Sequence, residues 1–540
     1  MAFPPGHDQR AASSHRPDID GLRAIAILSV VVFHAFPYSL PGGFTGVDIF
    51  FVISGFLISS IIFKSLVNGD FRFAAFYARR VRRLFPALIV VLVSCYALGW
   101  LLLLPDEFKQ LGKHMTAGAA FVQNFAIWKE AGYFDTATEL KPLMHLWSLA
   151  VEEQFYLLYP IIVWVAWRLG ISVLTVVFTC AALSFGINIA EASDETAKAF
   201  FVPQTRFWEL LVGALLAYRC LFAPGIPAKE FSRMSCRPVG FKLTVIPADR
   251  RRELNNLLAA SGLILILTAL LAIDRTNPLP GWRALIPVAG AGLLIQAGPQ
   301  AWVNRKLLSN RLMVWVGLIS YPLYLWHWPL LSFVRILTSD EPRPDLQAVA
   351  VAVSFVLAWL TYELIEIPIR FGPEIKVKTV ALASAIACAG LLGFSTYLGD
   401  GWPDRRSAAS QVIYEGDTGH LAFHEYGVRK FHTCTPDSIA QAALRWDGFI
   451  RCQQSRANSD IDIALLGDSH AEHLFFGLAE ALPHRNLVFY IKSDPAFIGN
   501  SGFAPHLHGS DREQSHQKSY PEHGLAERIT ATPPGEQPGE

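Results

Sequence analysis

The chain has 540 residues, of which 52% are hydrophobic and only 17% are charged. Soluble globular domains carry about 25% charged residues, so this composition, with its positive mean hydropathy, excludes an ordinary soluble protein and points to an integral membrane one. The net charge of +1 says little about partners, because charge is segregated along the chain, and seven cysteines over this length make no disulfide framework.

The first sixteen residues are polar and the first apolar segment is itself membrane-length, so no cleavable signal peptide is expected. Hydropathy marks eleven expected spans, near 21–38, 45–66, 84–104, 145–167, 171–190, 206–222, 255–273, 283–299, 312–336, 346–366 and 379–398. A segment near 112–128 is apolar but interrupted by Lys113, His114 and Gln123, and is expected to lie as a helix against the membrane or the bundle. With the N-terminus in the cytosol, four loops rich in Lys and Arg fall on the inside. They carry Arg72, Arg79, Arg80, Arg82 and Arg83; the run from Lys229 through Arg233, Arg237 and Lys242 to Arg252; Arg305, Lys306 and Arg311; and Arg370, Lys376 and Lys378. The opposite loops are poorer in cations or balanced by acids, so the positive-inside rule puts the N-terminus in and the C-terminus out. No internal repeat is evident, which weighs against folds built from inverted transporter repeats.

The first span holds two ionisable residues, Arg23 and His34. Eleven positions of helix separate them by roughly 16 Å, about half a bilayer core. An intramembrane charge is costly and marks a functional site unless it snorkels or packs between helices. A histidine in apolar surroundings stays neutral and can take a proton from a hydroxyl, while arginine stays charged and holds phosphate. Span two opens with glycines that permit close helix packing and carries Asp48, read either as the partner of a neighbouring cation or as an interfacial acid. In Tyr77-ARRVRRLFPAL, a topology anchor on any reading, Arg80 and Arg83 sit three apart on one helical face, a geometry suited to phosphates. Span four carries Glu152 and Glu153 in HLWSLAVEEQFYLLYP, and at least one should face the bundle interior. His327 lies between two tryptophans in SYPLYLWHWP, where it serves either function or aromatic packing.

Taken in order over about residues 16–370, these segments, with Thr205-RFWELLVGALLA, resemble the acyltransferase family 3 membrane domain. The resemblance implies transfer of an acyl group, commonly acetyl, from cytosolic acyl-CoA to a sugar or glycan outside the membrane. It carries the family's functional arginine and histidine onto Arg23 and His34, and its paired arginines onto Arg80 and Arg83. On this reading Arg80, Arg83 and Arg23 hold the donor's phosphates. His34 deprotonates the acceptor hydroxyl, or forms an acyl intermediate, and Glu152 or Glu153 orients the histidine or binds the sugar. Asp48, His327, Tyr324 and Trp326, with Trp328, line the substrate path. A glycan such as lipopolysaccharide O-antigen or exopolysaccharide is the expected acceptor, and no metal and no nucleic-acid partner are expected. A transporter or flippase without acyl-transfer chemistry is the competing class, since buried Arg, His and Glu also serve proton relays.

From Gly401 the chain turns polar. In an oxidising compartment outside the membrane, Cys434 and Cys452 are expected to pair. Asp460-IDIALLGDSHAEHL reads as a buried strand, a tight turn and a helix, with Ser469 at the helix N-terminus. This block resembles the first motif of SGNH-type hydrolases, in which Ser469 would be the nucleophile. That family's Asp-x-x-His pair is missing from the 71 residues after Ser469 (540 minus 469), so the segment is expected to be incomplete and without hydrolase activity of its own. The fold class is thus a polytopic α-helical membrane protein of about eleven spans, N-in and C-out, with a C-terminal extracytoplasmic α/β segment. Its parts are a polar tail 1–16, the transmembrane domain 17–370, a linker and last helix 371–400, the partial SGNH-like domain 401–498 and a disordered tail 499–540. A bacterial inner membrane, with the C-terminal segment in the periplasm, is the expected location.

Overall fold

The computed structural model describes residues 15–130, 138–194, 196–222, 248–274, 280–338, 343–371, 375–405, 427, 429–435, 440–441, 443, 445–446, 449–457, 460–466 and 469–490. Most of the N-terminal tail, Lys229, Arg233, Arg237 and Lys242 of the basic loop, the Gly467-Asp468 turn and the tail from 499 lie outside the described residues. The chain forms two units, Met1–Gln411 and Val412–Glu540.

The first unit is helical. Its helices are α1 (Pro17–Ala35), α2 (Gly46–Asn68), α3 (Phe73–Leu102), α4 (Pro105–Ala119), α5 (Gln123–Glu130), α6 (Leu146–Arg168), α7 (Val173–Asp194), α8 (Thr196–Phe201) and α9 (Phe207–Phe222). They continue with α10 (Ala248–Ala272), α11 (Leu285–Ala297), α12 (Arg311–Leu318), α13 (Ser320–Thr338), α14 (Pro344–Thr361), α15 (Ile367–Phe371) and α16 (Ile375–Leu398). Among the described residues, seven helices are long and apolar enough to cross a membrane. They coincide with the expected spans at 45–66, 84–104, 145–167, 171–190, 255–273, 346–366 and 379–398. The other four stretches are helical too. However, α1 carries Asp18, Asp20 and Arg23 in its first two turns, α9 and α11 run to 16 and 13 residues, and 312–336 is split between α12 and α13 at Ile319.

Two boundaries differ from the hydropathy reading in ways that matter for the site. The basic run before residue 84 is not a loop: α3 starts at Phe73 and continues through it, because alanine and arginine are good helix formers and nothing before Pro86 interrupts them. The 112–128 segment is two helices, not one. Phe121 takes a left-handed φ of 54° between them, and its carbonyl accepts a hydrogen bond of 2.8 Å from Gln154 Nε2 on α6.

Helix α1 is central. Thirteen of its nineteen residues are buried, and it contributes to two apolar clusters. One gathers α2, α6, α7, α9 and α11; the other gathers α3, α4, α6 and α13. Helices α2 and α9 meet almost backbone to backbone. A Cβ on Gly55 would lie 1.8 Å from the Leu210 carbonyl oxygen, and one on Gly213 would lie 2.1 Å from that of Val52. Only glycine permits that approach, which compensates for the missing hydrophobic drive between helices in lipid.

The second unit contains a small sheet. Strands β1 (His432–Thr433), β2 (Arg445–Trp446), β3 (Phe449–Ile450), β4 (Cys452–Gln454), β5 (Ile463–Leu466) and β6 (Leu487–Tyr490) are joined, between β5 and β6, by α17 (Ser469–Ala481). The four-stranded sheet runs β1-β4-β6-β5, with β5 and β6 parallel and the remaining pairs antiparallel. Helix α17 covers it with Phe475 and Phe476 against Leu487 and Phe489. Cys434 and Cys452 form a disulfide with Cα atoms 5.5 Å apart, as the sequence led one to expect.

Candidate active site

Two internal cavities of the first unit collect most of the expected site residues. The first, about 430 Å³, is lined by His34 from the last turn of α1, His145, Glu139, Tyr324, Trp328 and an aromatic wall of Phe33, Phe44, Trp147, Phe200 and Phe201. Here His34 Nδ1 lies 3.0 Å from His327 Nε2, and the two ring planes are within 8° of parallel. His327 Nδ1 lies 3.2 Å from the Leu323 carbonyl, which can only accept a hydrogen bond. The network therefore assigns the His327 proton to Nδ1. Its Nε2 accepts from His34 Nδ1–H, and Nε2 of His34 becomes the basic nitrogen of that ring. The ring is held further by the edge of Trp328, 4.6 Å between centroids, whose indole N–H donates to the Lys141 carbonyl at 2.8 Å. Arg335 donates to the His34 backbone carbonyl at 2.9 Å.

The loop that carries Glu139 and Lys141 is tied down beside this cavity by Glu130. Its carboxylate meets Lys113 at 2.6 Å, Lys141 at 2.8 Å and His114 at 3.0 Å. Burial alone would push the Glu130 carboxyl up, but His114, Lys113 and Lys141 outweigh it and hold it well below the usual carboxylate range.

The second cavity, about 100 Å³, is lined by Arg23, Arg80, Arg83, Ser54, Glu152, Tyr156 and Tyr321 among others. Arg80 pairs with Glu153 at 2.6 Å and stacks 3.7 Å over the Tyr156 ring. Glu152 accepts hydrogen bonds from Ser54 Oγ and the Tyr156 hydroxyl. Arg23 is held loosely, 3.7 Å from Asp20. Arg83 makes no hydrogen bond or ion pair among the described residues, although it faces Arg23 and Arg80. A guanidinium in a cavity beside two others, without a carboxylate in contact, is a place for an anion.

The cavities meet. Val47 and Tyr324 line both. The Tyr324 hydroxyl donates to the His145 carbonyl at 2.7 Å and shares a 2.6 Å hydrogen bond with Ser148 Oγ.

Of the expected residues, Arg23, Arg80, Arg83 and Glu152 line the arginine cavity, with Glu153 bonded to Arg80. His34 and Trp328 line the histidine cavity, and His327 stands behind His34. Glu152 and Glu153 do not meet His34; His327 is its partner. Asp48 lines neither cavity, for it is buried against Arg206 at 2.6 Å, and Arg206 also lies 3.3 Å from Glu209. Trp326 lies in the packed core, its indole N–H donating to Thr361 Oγ1 at 3.0 Å. Ser469 opens α17, three residues after the end of β5; its side chain is outside the described residues. Sequence reasoning passed over Ser54, Tyr156, Ser148 and Tyr321. Tyr156 was within reach, since its place four residues after Glu152 puts both on one helical face.

These features define a class: a helical protein with membrane-length apolar helices, one cavity lined by a half-buried imidazole and a neighbouring cavity lined by three arginines. The chain belongs to the acyltransferase family, whose domain it matches over residues 16–363. Over 373 residues it is 31% identical to the peptidoglycan O-acetyltransferase OatA of Listeria monocytogenes, an alignment covering 67% of this chain and 57% of that protein. Over 364 residues it is 29% identical to the O-acetyltransferase OatA of Staphylococcus aureus, covering 66% and 57% respectively. The matched region thus spans a little over half the length of these relatives. No solved structure matches the chain.

Proposed function

We propose that the protein is a membrane O-acyltransferase that moves an acyl group, acetyl in the first instance, from cytosolic acyl-CoA to a hydroxyl of an extracytoplasmic cell-envelope glycan. The observation that carries this reading is that Val47 and Tyr324 line both the cavity holding Arg23, Arg80 and Arg83 and the cavity holding His34. The arginines bind the donor's phosphates, and the pantetheine arm reaches past Tyr324. His34 Nε2 takes the acceptor's proton, the hydroxyl oxygen attacks the thioester carbonyl, and the CoA thiolate leaves with the acyl–oxygen bond formed. His327 orients His34 and steadies the imidazolium as it forms.

The aromatic wall of Phe33, Trp147, Phe200, Phe201 and Trp328 offers ring faces for a sugar. Lipopolysaccharide O-antigen or exopolysaccharide is the acceptor we favour; peptidoglycan is the acceptor in the name of the Listeria relative. The location that fits is a bacterial inner membrane, multi-pass, with the second unit on the outer side. There β5 and the helix that Ser469 opens belong to an SGNH-like segment that handles glycan without hydrolysing it unaided.

The experiment is CoA release by the purified protein in lipid, wild type beside His34→Ala, with cell-envelope glycan supplied. A free-thiol signal from wild type that vanishes in the variant is the expected result. Full release by a correctly inserted His34→Ala protein would remove His34 as the base, and none from either protein would remove acyl-CoA as the donor.

A further inference from the structure

Two charged residues beside the arginine cavity have no part in that scheme: Glu366 and Arg370. They follow the matched stretch, Glu366 closing a π-helical turn (Tyr362–Glu366) and Arg370 lying in α15. Turns of that kind are rare and frequent at functional sites. This one packs against α3, the helix that carries Arg80 and Arg83. Only 4% of Glu366 is exposed. Its Oε1 lies 3.5 Å from Nη1 of Arg370, a long contact for a charged pair, and its Oε2 has no hydrogen-bond partner. The carboxylate also faces Arg83 and Arg23.

A buried carboxylate oxygen without a donor is costly, and here it stands near a guanidinium that has no carboxylate in contact. Had the pair evolved only as a strut, closure of Arg83 or Arg370 onto Glu366 would satisfy both sides. Instead three arginines surround one acid that none of them grips closely.

We propose that Glu366 is a built-in stand-in for the donor's phosphate. With no donor bound it offsets the charge of Arg370, Arg83 and Arg23. A phosphate ester entering the arginine cavity, with more charge and more acceptor oxygens than a carboxylate, takes those cations from it. The proposal rests on the reading of this cavity as the acyl-CoA site, and it adds a function for Glu366: a competitor that sets donor affinity and keeps smaller, weaker anions out.

The test is titration of the full-length protein in lipid with CoA. Removing the competitor's charge in Glu366→Gln should tighten CoA binding by about 3- to 10-fold, the scale of one partly screened charge pair. Equal or weaker binding by the folded variant overturns the proposal, because a structural strut loses affinity when cut. Should that variant fail to fold, Glu366→Asp withdraws the charge by one methylene and must shift binding in the same direction; equal or weaker binding again overturns it. Failure of the underlying reading looks different: wild type would show no saturable CoA binding, Arg83→Ala would change nothing, and the proposal would fall with it.

Discussion

His34 is a base only if one of its nitrogens is kept free of the proton, and a single backbone carbonyl fixes which. Leu323 O takes the His327 Nδ1–H, so His327 can only accept from His34. On the proposed reading His327 is therefore a positioning residue, acting through His34. His327→Phe keeps the volume and ring but removes the acceptor. It should lower kcat by about 100-fold, the lower range for general-base catalysis, and leave the donor KM within a factor of about two, since the phosphate site is untouched. His327→Gln, whose amide oxygen can accept from Nδ1–H, should recover part of the loss. Steady-state kinetics with both variants checks this; a His327→Phe enzyme at wild-type kcat would show that the histidine pair is packing alone. Glu152 illustrates how far residue-level reading reached. At least one of two adjacent acids in an apolar helix had to face the interior, and both do, but adjacency gives the face and not the partner. The partners, Ser54, Tyr156 and Arg80, lie on the same helix one turn on or on other helices.

At the scale of elements, α17 carries the second unit's most unusual group. Glu472 is buried against Arg451 at 2.8 Å. Burial pushes its carboxyl up from 4.5 to about 7, against the pull of Arg451. The unfolded chain releases that proton first, so between these values the folded unit binds more protons than the unfolded one. Stability then falls as pH rises through the window. Thermal melting of the full chain should show the second unit losing on the order of 2 kcal/mol between about pH 4.5 and about pH 7. Glu472→Gln, neutral throughout, should flatten the trend; a wild-type unit equally stable at both ends would contradict it. The elements themselves were largely legible. Strand β5, α17 and the Cys434–Cys452 pair stand where a short apolar run, turn residues and compartment chemistry put them. What hydropathy misjudged were ends and breaks. Helix α3 began eleven residues before its apolar stretch, because propensity ignores the change from cytosolic to membrane environment. The turn at Phe121 depends on Gln154, a tertiary partner that no local pattern encodes.

Over the whole first unit, the proposed function needs the two neighbouring cavities to communicate, and sequence motifs on α1, α2, α3, α6 and α13 supply much of their lining. The motifs named the walls, Tyr324 among them; that Val47 lines both cavities beside it came from packing, since valine bears no chemistry that a spacing argument would flag. Tyr324 is anchored at its hydroxyl by His145 and Ser148, so the adjustable side of the neck is Val47. Val47→Trp places a large ring at the position that lines both cavities and leaves the arginines and His34 themselves unchanged. If acyl groups pass through this neck, the variant should bind CoA with wild-type affinity and lose acyl transfer by at least about 100-fold, because a reacting carbonyl held short of its base forfeits the gain of proximity. Binding titration and product formation, measured on the same preparation, separate the two. Loss of both would mean that the bulky ring had disturbed α2, and Val47→Ile then gives the milder obstruction. Retention of both would mean that the thioester reaches His34 by a route that does not pass Val47, and the two cavities would have to be treated as separate sites.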